Sequence, residues 1–381
     1  MWEWIVDRQR GPEGVVVSAQ SDARSYHRQQ FWIGALRWVI VAAYLGALLA
    51  SGLSVRLRDL VAAWTSVWWL AVPIFVLLLG LGQEILTLPL SLAGGFWLPR
   101  RYGLHHQSCA RWFLDRSKAG IIGAALGSVA LVIVYGLMRT TAWWWLWAAG
   151  VLFTGQVLIA FVTPVWLVPL FYRLTPLPDG DLRSRLLRLA EQAGVPAIGA
   201  WTVDQSRRSR TANAAVVGIG RTRRIILFDT LVRDFQPEEI EAVLAHELGH
   251  HAARDIWRGL AVQGMLTLVA LWVIDRSLGV AAGALGLSGT TDIAGLPLLG
   301  LVTMAVSLVA LPIVNGWSRF VESRADDFAL GLTRAPGPFI GAMERLADLN
   351  LAERNPHVLK ELMLYSHPSV DRRVARARAR A

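Results

Sequence analysis

Residues 238–250 read EEIEAVLAHELGH. Pro237 and the two glutamates after it suit the first turn of a helix, where proline forfeits no hydrogen bond and acids meet the positive end of the dipole. Ile240, Val243 and Leu244 then form an apolar stripe, so the spacing predicts a partly buried helix that carries HELGH in its last turns. Side chains four apart share a helical face, which lets His246 and His250 bind one ion while Glu247 projects beside it. Neutral imidazoles suit Zn2+, one per chain, and three protein ligands leave a coordination position for water. Glu247 is the expected base, taking a proton from that water and passing it to a leaving amine. His251 falls off the ligand face and is expected to support its neighbour or to be solvated. Farther along, NGWSRFVESRADD (315–327) offers Glu322 as a third ligand. Asp326, four residues on, is placed to orient a ligating imidazole through a hydrogen bond.

The surroundings of these motifs are those of a membrane protein. Of 381 residues 54% are hydrophobic and only 17% charged, with mean hydropathy +0.42, too apolar for an ordinary soluble enzyme. Near-continuous apolar runs at 31–51, 64–90, 119–138, 143–172, 259–274 and 296–314 give six candidate spans. The fourth is interrupted by Pro164 and Pro169. Arginines and a lysine collect before the first run and between the second and third, which predicts that both termini and residues 173–257 face the cytosol. The net charge of +10 therefore reads as attraction to a lipid bilayer rather than to nucleic acid, for which no recognition motif is present. The lone Cys109 excludes an intramolecular disulfide. The chain shows neither a cleavable signal pattern nor a C-terminal prenylation box. Gly123 and Gly127 form a small-xxx-small pair suited to helix packing. Glu84, an acid inside an apolar run, is expected to line a polar chamber or to sit near the cytosolic interface.

Between 173 and 257 the pattern becomes that of a soluble α/β segment. LRSRLLRLAEQAGV (182–195) has leucines at helical spacing and a stop at Gly194. NAAVVGIG and RIILFDTLV, separated by RTRR, predict a β-hairpin. The expected organisation is a membrane unit at 1–172, a catalytic segment at 173–257, a two-span hairpin at 258–317 and the rest of the catalytic unit at 318–381.

HELGH, ESRAD and RRSRTANAAVVGIGRTRRIILFDTL together resemble the Ste24-type CAAX prenyl proteases of the M48 metallopeptidases. The resemblance extends to RYGLHHQS and FLDRSK in the membrane part, to TPLPDGDLR, and to YSHPSVDRR near the C-terminus. It implies a mainly α fold, a polytopic barrel of membrane helices around a water-filled chamber, with a gluzincin-like α/β zinc-protease domain at its cytosolic end. It further implies Glu322 as third ligand, Asn213 at the start of a strand edging the cleft, and Arg319, His367 and Arg372 as polar groups near the metal. His367 is the candidate for stabilising an oxyanion. The implied substrate is a peptide or protein, bound as an added strand along 214–219. His105 and His106 resemble a loop of the membrane domain and need bind no metal. Family members typically show seven spans against six here, and WEWIVDRQR resembles the segment after their first. The implied location is a bacterial inner membrane or an ER-type membrane. The rival from another class is a catalytically silent membrane quality-control scaffold with structural zinc, but such a site takes four protein ligands, commonly cysteines.

Overall fold

The computed structural model describes residues 12–218 and 222–380. WEWIVDRQR lies outside them. The N-terminal part is helical throughout: α1 (Pro12–Ala50), α2 (Leu53–Trp64), α3 (Trp68–Leu92), α4 (Leu98–Arg101), α5 (Cys109–Thr140), α6 (Trp144–Val162) and α7 (Val168–Phe171). Two further long helices, α11 (Asp255–Ala281) and α12 (Leu296–Thr333), follow later in the chain. Between them and the first group come β1 (Leu174–Pro176), α8 (Asp181–Gln192), β2 (Ala200–Val203), β3 (Ala214–Val217), β4 (Arg224–Phe228), α9 (Asp229–Asp234) and α10 (Pro237–Ala252). The chain ends with α13 (Pro336–Leu349), α14 (Val358–Leu364) and α15 (Val370–Arg378).

Six helices among the described residues are long and apolar enough to cross a membrane, carried by α1, α3, α5, α6, α11 and α12. Each packs on two others, in the order α1, α3, α5, α6, α11, α12 and back to α1. A ring of contacts that closes on itself is a barrel. Its helices carry exposed Trp69, Leu81, Ile121, Val129, Val309 and Ile313, apolar side chains that hydrocarbon solvates without cost. Two acids on these helices are engaged. Glu84 accepts from Arg116 at 2.6 Å, and Asp275 accepts from the Trp144 indole at 2.8 Å. Asp275 and Arg276 lie within α11, which runs past the apolar segment expected to end at 274 because the paired Asp275 is tolerated there. The apolar run expected at 143–172 divides, α6 giving way to a π-helical turn at Thr163–Leu167 and then α7.

The smaller α/β unit is built on a four-stranded sheet of order β1-β2-β4-β3, with β2 and β4 parallel and the other pairs antiparallel. The predicted hairpin is the β3–β4 pair, Ala215 opposite Ile226. That places β3 at an edge. α8 ends where Gly194 takes a left-handed φ of 68°, a conformation cheap only for glycine. α10 opens as the sequence predicts, Pro237 in its first turn and the Glu239 carboxylate 2.9 Å from the Gln236 N–H in a capping box. Its apolar stripe, Ile240, Leu244 and Leu248, is fully buried with Ile225, Leu227, Leu231 and Phe339.

Candidate metal centre and catalytic cleft

α10 packs on α12, and Gly249 is what permits the close approach. A Cβ there would stand 3.2 Å from Phe328 and 3.3 Å from the Ala325 backbone, tighter than ordinary contact. The glycine of HELGH therefore brings both histidines onto the face of α12 that carries Glu322. His246 Nε2 lies 3.1 Å from Glu322 Oε2 and 3.2 Å from His250 Nε2, which in turn is 3.5 Å from Glu322 Oε1.

The opposite ring nitrogens are tied down. His246 Nδ1 stands 2.8 Å from Asp326 Oδ1, and His250 Nδ1 stands 3.1 Å from Asp255 Oδ2. A carboxylate only accepts, so both Nδ1 atoms carry protons and both Nε2 atoms turn toward one point. Asp326 is held by Arg373, whose Nε and Nη2 donate at 2.8 and 2.6 Å. Asp255 is gripped by Arg324. The buried Glu322 Oε2 lacks a hydrogen-bond partner. Two nitrogens and an unsatisfied carboxylate oxygen facing one another repel unless a cation lies between them. Ligands at about 2.0–2.1 Å in a tetrahedron sit roughly 3.3 Å apart, close to the spacings here. The donor set therefore fits a divalent metal ion, and His246, His250 and Glu322 form the one such group among the described residues.

Without metal the same carboxylates favour a proton. Burial opposes charge on His246, but the Asp326 and Glu322 carboxylates, which accept from the ring once both its nitrogens are protonated, outweigh it and raise its pKa from 6.5 to about 9. A raised histidine pKa stabilises the folded state fully below the unfolded value and loses that contribution as pH rises through the folded one. The metal-free protein should therefore melt at progressively lower temperature between pH 6.5 and about 9, whereas the metal-loaded protein should not follow that course. Parallel melting curves for chelated and loaded samples across this interval would contradict the assignment.

Glu247 faces a cavity of about 340 Å3, bordered also by Asn213, His246, Glu322, His367 and Arg373. Burial raises the pKa of its carboxyl, against the pull of the neighbouring imidazoles. That shift moves a carboxylate toward the range useful to a general base. His367 Nε2 stands 3.4 Å from Glu322 Oε1, while its Nδ1 meets Ser366 Oγ at 2.9 Å. Asn213 directly precedes β3, and its carbonyl accepts from the Phe228 N–H at 3.0 Å.

Two expected residues lie elsewhere. Arg372 is largely exposed and reaches Glu361 at 3.6 Å, because the phase of α15 turns Arg373, not Arg372, toward the centre. Arg319 donates to the Glu361 and Tyr365 carbonyls at 2.9 and 2.6 Å, bracing the loop before His367 rather than lining the cleft. The sequence reading missed Arg373 and Asp255. RR in YSHPSVDRR signals the first, and an acid five residues after His250 signals the second. His251 donates to the Val216 carbonyl at 2.7 Å and so ties the metal helix to the edge strand.

A ring of membrane helices and a buried HExxH centre facing a peptide-sized cleft define a membrane-embedded metallopeptidase. The model for Peptidase family M48 matches residues 176–381, and that for the CAAX prenyl protease N-terminal region, described as five membrane helices, matches 16–173. The chain belongs to peptidase family M48. It is 30% identical over 335 residues to the "Uncharacterized metalloprotease YhfN" of Bacillus subtilis (strain 168), covering 87% of this chain and 78% of that protein. It is 31% identical over 310 residues to the "CAAX prenyl protease 1 homolog" of Arabidopsis thaliana, covering 77% and 70% respectively. The crystal structure of S. mikatae Ste24p superposes with a TM-score of 0.84 over 94% of this chain and 89% of that one, at 24% identity, and shares the fold. The chain is an integral-membrane metalloprotease.

Proposed function

We propose that this protein is a zinc endopeptidase that cleaves peptides lying along β3, with His246, His250 and Glu322 as ligands and Glu247 as the base. The observation that carries the reading is the convergence of three donors beside a buried carboxylate in a cleft bordered by an edge strand. Zinc would supply Lewis acidity toward water and the scissile carbonyl. Glu247 takes the water proton and returns it to the leaving nitrogen, and His367, at the rim of the cleft, donates to the developing oxyanion. Asp326 and Arg373 orient His246, while Asp255 orients His250.

Because Asn213 O pairs with Phe228 N, alternation along the strand turns the Ala214 and Val216 backbone groups to the open edge. His251 occupies the Val216 carbonyl, and Asn213 Oδ1 accepts from the Ala214 N–H at 2.9 Å. The remaining outward groups, the Ala214 C=O and the Val216 N–H, suit a substrate in extended conformation. The clustering of arginine and lysine in alternate loops supports a cytosolic cleft and cytosolic termini. Relatives named as CAAX prenyl proteases suggest substrates ending in a prenylated cysteine motif. A structural metal in a silent scaffold would call for a fourth protein donor, and the described residues bring three together.

The test is to incubate purified protein, with and without chelator, with matched prenylated and unmodified peptides and to read the products by mass spectrometry. Cleavage should vanish with chelator and return with Zn2+. Methylating the peptide backbone nitrogens flanking the cleavage site should lower turnover at least tenfold if the substrate adds as a strand. Chelator-insensitive cleavage would refute the metal chemistry, and full turnover of the methylated peptide would refute the strand pairing.

A further inference from the structure

Away from the catalytic cleft, an open cavity of about 850 Å3 lies between α1 and α14. α14 is inverted with respect to a soluble surface helix. It buries its carboxylate, Glu361, and exposes Val358, Leu359, Leu362 and Met363. The Ser369 N–H at 3.1 Å and Arg372 at 3.6 Å hold the Glu361 charge inward. A helix so disposed presents its apolar side to lipid rather than to water.

Across the cavity, Arg24 and Arg28 stand one turn apart on α1, both exposed and without a carboxylate partner among the described residues. Phe31, next along that stripe, begins the first apolar run. Cations placed just before an apolar run of a spanning helix are suited to meet lipid phosphates. From the facing α14 comes Lys360, already paired with Glu353, the single carboxylate of the lining, which also accepts from the Tyr365 hydroxyl at 2.8 Å. With Lys360 and Glu353 paired, Arg24 and Arg28 leave the lining net cationic, while Phe31, Leu359, Met363 and Leu364 supply its apolar surface.

We propose that this cavity is a binding site for an anionic phospholipid, with the phosphate held by Arg24 and Arg28 and an acyl chain laid along Phe31, Leu359 and Met363. Guanidinium forks match phosphate oxygens in pairs, and an amphiphile is the ligand that satisfies unpaired cations and apolar surface together. Glu353 also borders the catalytic cleft, so the lipid would sit against the outer wall of that cleft. The inference stands on α1 and α14 and is independent of the peptidase reading.

The test is to reconstitute the full-length protein in nanodiscs of phosphatidylcholine doped with phosphatidylglycerol and to count retained lipids by native mass spectrometry. Wild type should keep phosphatidylglycerol about tenfold over phosphatidylcholine, and R24Q/R28Q should keep the two equally, with melting temperature and metal content unchanged. Leu359→Asp, which spoils the apolar wall but spares both arginines, should also release the lipid. Equal retention of the two lipids by wild type would overturn the proposal. So would displacement of phosphatidylglycerol by inorganic phosphate, which would mark a soluble-anion site, or by an uncharged lipidated peptide, which would mark a substrate-lipid site.

Discussion

Glu247→Gln is expected to lower peptide hydrolysis by about 10²–10⁴-fold while the protein keeps one metal ion per chain. The amide keeps the size of the side chain but cannot take the water proton, and its neighbours, two imidazoles and Glu322, are left undisturbed. Burial, which raises the pKa of this carboxyl, is the same circumstance that makes its loss costly, because bulk water has poor access to substitute as base. Metal analysis alongside a turnover assay separates this from loss of the centre. Turnover within a few-fold of wild type would remove Glu247 from the role of base.

Arg373→Met is expected to destabilise the protein by about 3–5 kcal/mol and to weaken metal retention. The side chain is the bidentate partner of Asp326, whose carboxylate is almost wholly shielded from solvent and also holds His246 Nδ1. Removing the guanidinium leaves that carboxylate with one partner in a dry site. The double variant D326N/R373M removes the stranded charge and should recover much of the lost melting temperature without recovering metal affinity. If R373M melts within a degree or two of wild type, the ion pair contributes nothing to the fold, and the account of how His246 is oriented fails with it.

Both experiments concern residues that differ in how readable they were. His246, Glu247 and His250 stand out because a period of 3.6 residues turns a spacing of four into a shared face, and the same arithmetic brings Asp326 to the side of Glu322. Choosing between Arg372 and Arg373 needs the phase of a nine-residue helix, which two adjacent identical residues cannot supply. Asp255 escaped for another reason. The chain turns at Arg254, held at a left-handed φ of 57°, and that bend swings the first residue of α11 back to His250. Six membrane spans follow from hydropathy alone, because each is a local property of about 20 residues. Their closure into a ring, and the β1-β2-β4-β3 order of the sheet, depend on contacts between distant segments and leave no local trace. The inverted polarity of α14 is written plainly in VLKELML, yet its meaning appears only once Glu361 is seen to point inward.

α12 runs 38 residues without interruption, from the apolar segment that begins at Leu296 to Glu322 and beyond. During synthesis the HELGH helix leaves the ribosome more than 70 residues before Glu322 does, and two spans must be threaded in the interval. A half-made chain therefore holds two imidazoles and no third donor. The three-donor set is complete only once α12, the last long apolar helix, has been made and packed against the HELGH helix.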